Sequence, residues 1–207
     1  FGFNPSFALQ IQKENLHDRI IAFAQSQIQS LQPNQALEII DTEKSFSLNI
    51  DEFTITGSID RIDFIKGQKR IIDYKTSSSP KTPKSEHLSS ANTKKEPKHL
   101  PDEAYHNVKG KNYYWSDLQL PLYCLSEISD ENPGFPELYY YNIPKSSEKT
   151  ALSLWDDFTP EDLEAAKQCT RAILNRIKEG KFWPPNEQLE PSMDDFADLF
   201  PDGIKKA

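Results

Sequence analysis

The order of local patterns along this chain predicts an α/β (α+β) fold in which helices flank a mixed central β-sheet. Three observations carry that prediction. Apolar residues recur at helical spacing over residues 7–31, three strand-like stretches follow with no helix between them, and the second half runs short helix, two strands, capped helix. A chain of 207 residues holds one ordinary domain, or one with an appendage.

In the first helix the apolar positions are Ile11, Leu16, Ile20, Phe23 or Ala24, Ile28 and Leu31, and Pro33-Asn34 ends it. The stretches 36–48, 53–65 and 69–76 read as strands. The second alternates only in part, as expected where both faces are covered. Residues 77–112 are rich in Ser, Pro, Lys and Asn with almost no aliphatic side chains, and read as one long mobile loop. Residues 117–128 form a short helix that tolerates Pro121 because it falls in the first turn. Strands follow over 137–143 and 150–155. Thr159-Pro160-Glu161-Asp162 is a helix start: a capping side chain, proline at the first helical position, then acids. That helix runs to Lys178 and stops at Gly180. The tail 184–207 is expected to wrap the surface, and no internal repeat is present.

Composition narrows the class. Hydrophobic residues are 36% and charged residues 27%, a polar chain, but its 12 Phe, 8 Tyr and 3 Trp can still build a core. No apolar run is long enough for a bilayer and no basic-then-apolar leader is present, so a cytoplasmic protein is expected. The two cysteines, Cys124 and Cys169, exclude a disulfide framework, a four-cysteine zinc site and an iron–sulfur cluster; both fall on apolar helical faces and read as core. The chain begins at Phe1 and its single methionine is Met193, which points to a piece of a longer protein or a processed chain. The net charge of −8 argues against a nucleic-acid partner, yet residues 64–115 hold eleven Lys/Arg against five Asp/Glu. Such a basic region can hold a polyanion, or it is a solvated lysine-rich loop.

The chemistry gathers in Gly57-Ser58-Ile59-Asp60-Arg61-Ile62-Asp63 and Ile71-Ile72-Asp73-Tyr74-Lys75-Thr76. With Lys66-Gly67 as a two-residue hairpin loop, Asp60 lies opposite Asp73 and Ile62 opposite Ile71. Lys75, two residues beyond Asp73, points to the same face. Two carboxylates so close need a cation or a shared proton, and a hard divalent ion with oxygen ligands, Mg²⁺ or Mn²⁺, answers that need. Such an ion holds a phosphate oxygen and acidifies an attacking water, and the lysine stabilises developing charge, which describes phosphodiester cleavage. The plainer alternative is a cross-strand surface salt bridge. Arg61 and Asp63 point away from this face, and Asp63 in the same register faces Arg70, so a structural ion pair is expected for them.

The ordered set Gly57-x-x-Asp60-Arg61-x-Asp63, Asp73-Tyr74-Lys75-Thr76 and Gln119-Leu120-Pro121-Leu122-Tyr123 resembles the successive motifs of the PD-(D/E)XK nuclease superfamily, most of all its RecB-like branch, found in helicase–nucleases such as RecB, AddA and AddB. The resemblance runs over about residues 10–183. It implies a restriction-endonuclease-like core within a nuclease domain at 1–183, Asp60 and Asp73 as metal carboxylates, the Tyr74 carbonyl as a backbone ligand and Lys75 as the catalytic lysine. It also implies that Gln119 and Tyr123, on one helix face, contact the nucleic acid or position that lysine. Leu16-His17-Asp18-Arg19-Ile20-Ile21 is similar to a helix that carries a further metal ligand in some members, so His17 is a ligand or an exposed helix histidine; Glu14 and Asn15 depart from the small residue usual before it. Glu43 stands where some members carry an acid, or at a plain strand edge. Tyr105, Tyr113, Tyr114 and Trp115, with the lysines of 77–112, either track a single strand or belong to an inserted loop.

The resemblance implies a Mg²⁺- or Mn²⁺-dependent deoxyribonuclease without an iron–sulfur cluster. It would be an exonuclease module of a recombination or repair protein, acting on single-stranded DNA or a duplex end beside helicase–nuclease domains or subunits. The alternative is a catalytically silent domain of the same fold that binds DNA or a partner protein.

Overall fold

A computed structural model of the chain describes residues 7–31, 37–91, 100–128 and 134–181. Its frame begins with three antiparallel strands: β1 (Leu37–Ile50), β2 (Phe53–Ile65) and β3 (Gln68–Lys75). Lys66 and Gly67 both take positive φ, +53° and +83°, which suits a two-residue turn matched to strand twist; Ile65 pairs with Gln68 and Ile62 with Ile71, as the spacing predicts. β3 then pairs in parallel with β7 (Glu137–Asn142), and β7 antiparallel with β8 (Ala151–Leu154). The result is a five-strand mixed sheet in the order β1-β2-β3-β7-β8. The parallel step demands a crossover between β3 and β7, and α2 (Pro83–His87) and α3 (Gln119–Glu127) are among the elements that lie along it.

One face of the sheet, with Ile62, Ile71, Leu138 and Tyr140, is covered by Leu120, Tyr123 and Cys124 of α3 (Gln119–Glu127) and by Leu163, Ala166 and Cys169 of α4 (Pro160–Lys178). Each fully buried large side chain there contributes about 1.5–3 kcal/mol. Burial pushes the Cys124 and Cys169 thiols up to about 12 and about 11, so both are inert core residues. Thr159 and Asp162 close a reciprocal capping box at the start of α4, and Gly180 ends the segment at φ +66°.

The opposite face, Ile72, Tyr139 and Tyr141, packs on α1 (Phe7–Ser30) through Phe23, whose ring meets Tyr141 edge-on at 4.7 Å and Tyr74 at 5.7 Å. The helix is where its spacing predicts, but its stripe is not covered: Ile11, Leu16, Ile20 and Ile28 stay exposed. Among the described residues no helix is long and apolar enough to cross a membrane.

The expectation of a single loop over 77–112 is corrected. This stretch carries α2 (Pro83–His87), β4 (Leu88–Ser90), β5 (Tyr105–Val108) and the start of β6 (Lys111–Trp115), and the three strands form a second sheet in the order β4-β6-β5. Lys109-Gly110 repeats the positive-φ turn, with the Asn107 side chain accepting the Gly110 N–H. Leu88, Ala104, Val108 and Trp115 join the main core. Each short element supplies one or two apolar anchors too far apart in sequence to show a period. The tail 184–207 lies outside the described residues.

Gly57 has a packing reason. A Cβ there would lie 2.7 Å from Cε1 of Phe46, the residue opposite it on β1, and that ring also meets Tyr123 edge-on at 5.6 Å. Gly57→Ala is expected to lower stability by ~1–2 kcal/mol through overpacking. Chemical denaturation checks this, and an unchanged midpoint would mean that Phe46 swings aside freely.

Candidate active site

The site forms where β2 leaves regular alternation. Ile59 and Ile62 belong to the same core cluster although their positions differ in parity, so the strand changes phase between them, at Asp60–Arg61. The β1–β2 pairing passes from Thr42/Arg61 to Lys44/Ile59 over Glu43, whose φ is +51°, a conformation uncommon outside glycine. The β2–β3 ladder ends at Arg61/Ile72, one pair short of the predicted Asp60/Asp73. The Tyr74 N–H instead donates to Asp60 Oδ2 at 2.8 Å. The carboxylate replaces a ladder carbonyl, and this holds it against the strand that carries Asp73.

Asp73 is 3% exposed, and Lys75 Nζ stands 2.7 Å from its Oδ2. That oxygen nevertheless makes no aligned hydrogen bond, so the contact is one of charge. Burial holds the Asp73 carboxyl above the usual range; Lys75 opposes this, and the charges of Asp60 and Asp117 add to it. Lys75 Nζ also donates to Gln119 Oε1 at 3.1 Å, and Gln119 Nε2 donates to the Tyr123 hydroxyl at 2.9 Å. Both ends of the Gln119 amide are therefore committed to protein partners, and Tyr123 is buried behind it.

Asp60, Asp73, Tyr74, Lys75, Gln119 and Tyr123 thus come together. His17 does not join them: its side chain is 71% exposed and its ring contact is with neighbouring Asp18, 3.7 Å away. Glu43 is exposed and accepts a 3.4 Å bond from Ser58. The predicted Asp63–Arg70 pair is also corrected. Their Cα positions are opposed, but Arg61 takes the Asp63 carboxylate with two bonds of 2.6 and 2.7 Å, while Arg70 turns to Glu137 on β7 at 2.9 Å.

Three residues near Lys75 escaped the sequence reading. Asp117 accepts the Gln119 N–H at 2.7 Å, fixing the start of α3, and its charge is felt by Asp73. Asp two residues before the Gln-Leu-Pro-Leu-Tyr run was the available signal. Tyr140 lies beside Asp73 in the parallel register with its ring 4.6 Å from Lys75 Nζ, and buried His87 bonds its hydroxyl at 2.9 Å.

A buried carboxylate oxygen without a hydrogen bond, next to a second carboxylate, is a donor set for a hard cation. Among the described residues no cluster of three or more His, Cys, Asp or Glu side chains is gathered. Two carboxylates suit Mg²⁺, which commonly takes one or two from the protein and completes its shell with water and substrate oxygen.

The sequence matches the family model of the PD-(D/E)XK nuclease superfamily, whose members typically use divalent metals, over residues 3–189. No curated protein sequence matches it. Among solved structures it is similar to a protein from Eubacterium rectale provisionally described as an exonuclease, at 15% identity and a TM-score of 0.48. That similarity covers 92% of this chain and 66% of the other's length. The mixed sheet flanked by helices is consistent with a restriction-endonuclease-like fold. Since the family match runs through every strand and helix that builds the acid pair and its lysine, this chain belongs to the PD-(D/E)XK nuclease superfamily.

Proposed function

We propose that this chain is a divalent-metal-dependent deoxyribonuclease, an exonuclease module of the RecB-like kind. In this reading it serves a larger cytoplasmic recombination or repair protein and works beside helicase–nuclease domains or subunits. One observation carries the proposal: the buried Asp73 carboxylate, drawn above its ordinary range beside Asp60, meets an ammonium that Gln119 also holds. Asp60 and Asp73, with the Tyr74 carbonyl, would hold Mg²⁺ or Mn²⁺. Such an ion, when bound, neutralises phosphate charge and lowers the pKa of an attacking water. Lys75 contributes a fixed positive charge at the scissile phosphate, worth more in this partly dry site than in open water. Gln119 and Tyr123 set its direction.

The test is cleavage of end-labelled single-stranded and duplex DNA by the purified protein with Mg²⁺, Mn²⁺ or EDTA. Cleavage that needs the metal, releases short products from ends and spares closed circles is expected. DNA left intact in both metals while a control nuclease cuts would overturn the enzyme reading, and DNA binding under those conditions would support the silent-domain alternative. Cutting of closed circles would overturn only the exonuclease part.

A further inference from the structure

We infer that Tyr140, held by His87, is a positioning residue for Lys75: its ring is one wall of a three-sided seat that fixes the ammonium. The other two walls are Asp73 Oδ2 at 2.7 Å and Gln119 Oε1 at 3.1 Å, and the ring centroid stands 4.6 Å from Nζ. A lysine side chain is long and rich in rotamers, so one ion pair leaves it free to swing about its stem. Here a carboxylate, an amide oxygen and an aromatic ring each stand within reach of the one ammonium. A partly desolvated cation is attracted to an aromatic face by the ring's quadrupole.

The ring is itself fixed. Tyr140 is 0% exposed and sits beside Asp73 in the parallel β3–β7 register. Its hydroxyl and His87 Nε2 are 2.9 Å apart, and His87 Nδ1 is 2.9 Å from the Asp117 carbonyl. A carbonyl only accepts, so Nδ1 carries the proton and Nε2 accepts from the phenol. Burial, with Lys75 nearby, holds His87 below the ordinary imidazole range, and burial pushes the Tyr140 phenol up, which agrees with a neutral ring and a protonated hydroxyl. His87 is 0% exposed and stacks on Trp155 at 5.1 Å and 15°.

Packing alone would be served by Phe and Leu at these places. A buried hydroxyl and a buried imidazole are costly unless each satisfies the other, and what their bond settles is the angle of the ring facing Lys75. His87 ends α2, directly before β4 of the second sheet, and Asp117 leads into α3. The small second sheet is thereby tied to the lysine.

The inference rests on Lys75 acting in cleavage, and its test separates the two ideas. In the metal-free protein, NMR of the Lys75 ε-methylene, assigned against Lys75→Arg, is expected to show an upfield ring-current shift. Tyr140→Phe should keep that shift and Tyr140→Leu lose it. The imidazole ¹⁵N shifts of His87 should report the Nδ1–H tautomer in wild type. In cleavage assays Tyr140→Leu should lower kcat by about 5–30-fold, the equivalent of ~1–2 kcal/mol, with KM unchanged, and Tyr140→Phe should recover most of that loss. An unshifted ε-methylene in wild type overturns the seat even if no variant folds, as does a folded Tyr140→Leu with wild-type kcat. The opposite His87 tautomer overturns the role of His87. A wild-type protein that cuts nothing yet shows the shifted methylene defeats the nuclease reading and leaves the seat standing.

Discussion

Asp73→Asn is expected to abolish metal-dependent DNA cleavage, by about 10³-fold or more, while leaving the fold intact. The size follows from losing several kcal/mol of charge stabilisation at the phosphate when one of two carboxylates no longer holds the ion. The fold survives because Asn fills the same volume and Asp73 does little to hold the core: its Oδ2 makes no hydrogen bond. Its linkage has a definite sign. Burial raises the Asp73 pKa in the folded state, so charging it as the pH rises costs native stability; that cost is complete above the folded pKa, shrinks as the pH falls through it and vanishes only below the ordinary carboxylate pKa of the unfolded chain. Metal-free Asp73→Asn should therefore melt at or above the wild-type temperature at pH 7.5, with the difference shrinking as the pH falls toward 4. Mg²⁺ or Mn²⁺ should raise the wild-type Tm, since a ligand that binds only the native state stabilises it, and should leave the variant's unchanged. Residual cleavage above a few per cent, or a variant that still gains stability from the metal, would sink the assignment of Asp73 as a ligand.

What could be read from sequence follows from how local each cause is. The β2–β3 hairpin was legible from its turn as far as the Arg61/Ile72 pair, because Lys66-Gly67 supplies two positive φ angles in sequence and a two-residue loop then sets the register; the next pair, Asp60/Asp73, does not form. The start of α4 was legible because Thr159, Pro160 and Asp162 act on one turn of backbone. Asp73 and Lys75 share a face by strand geometry alone. The rest depends on distant chain. His87 sits in a polar stretch with no period, and its burial is made by Trp155 and Tyr140, far along the sequence. In Tyr139-Tyr140-Tyr141 all three rings are buried, on two faces, so only the parallel register with β3 says which one meets Lys75. The partner of Asp63 was misread for a related reason. Register opposes Cα atoms, but the long Arg61 fork reaches its own strand's next same-side residue, and Glu137 on β7 draws Arg70 the other way.

That fork carries the largest stability effect expected in this molecule. The Arg61 and Asp63 side chains are each 4% exposed and joined through Nε and Nη2, and Nη1 of the same guanidinium donates to Gln27 Oε1 on α1 at 2.7 Å. The Tyr74 hydroxyl lies 3.4 Å away. One planar group thus ties the strand just after Asp60 to the helix on the far face of the sheet, a task that lysine, with no fork, does poorly. Arg61→Met is expected to cost ~3–5 kcal/mol, because it strands a buried carboxylate rather than merely removing an attraction. For a domain of this size that is a fall in Tm of about 6–20 °C. Arg61→Met with Asp63→Leu should recover most of the loss, since two apolar groups of similar volume need no partner. Arg61→Lys should fall between wild type and Arg61→Met. Urea denaturation of the four proteins reads these differences directly. A single variant that loses under ~1 kcal/mol, or a double variant no more stable than Arg61→Met, would show that the buried pair is incidental to the fold.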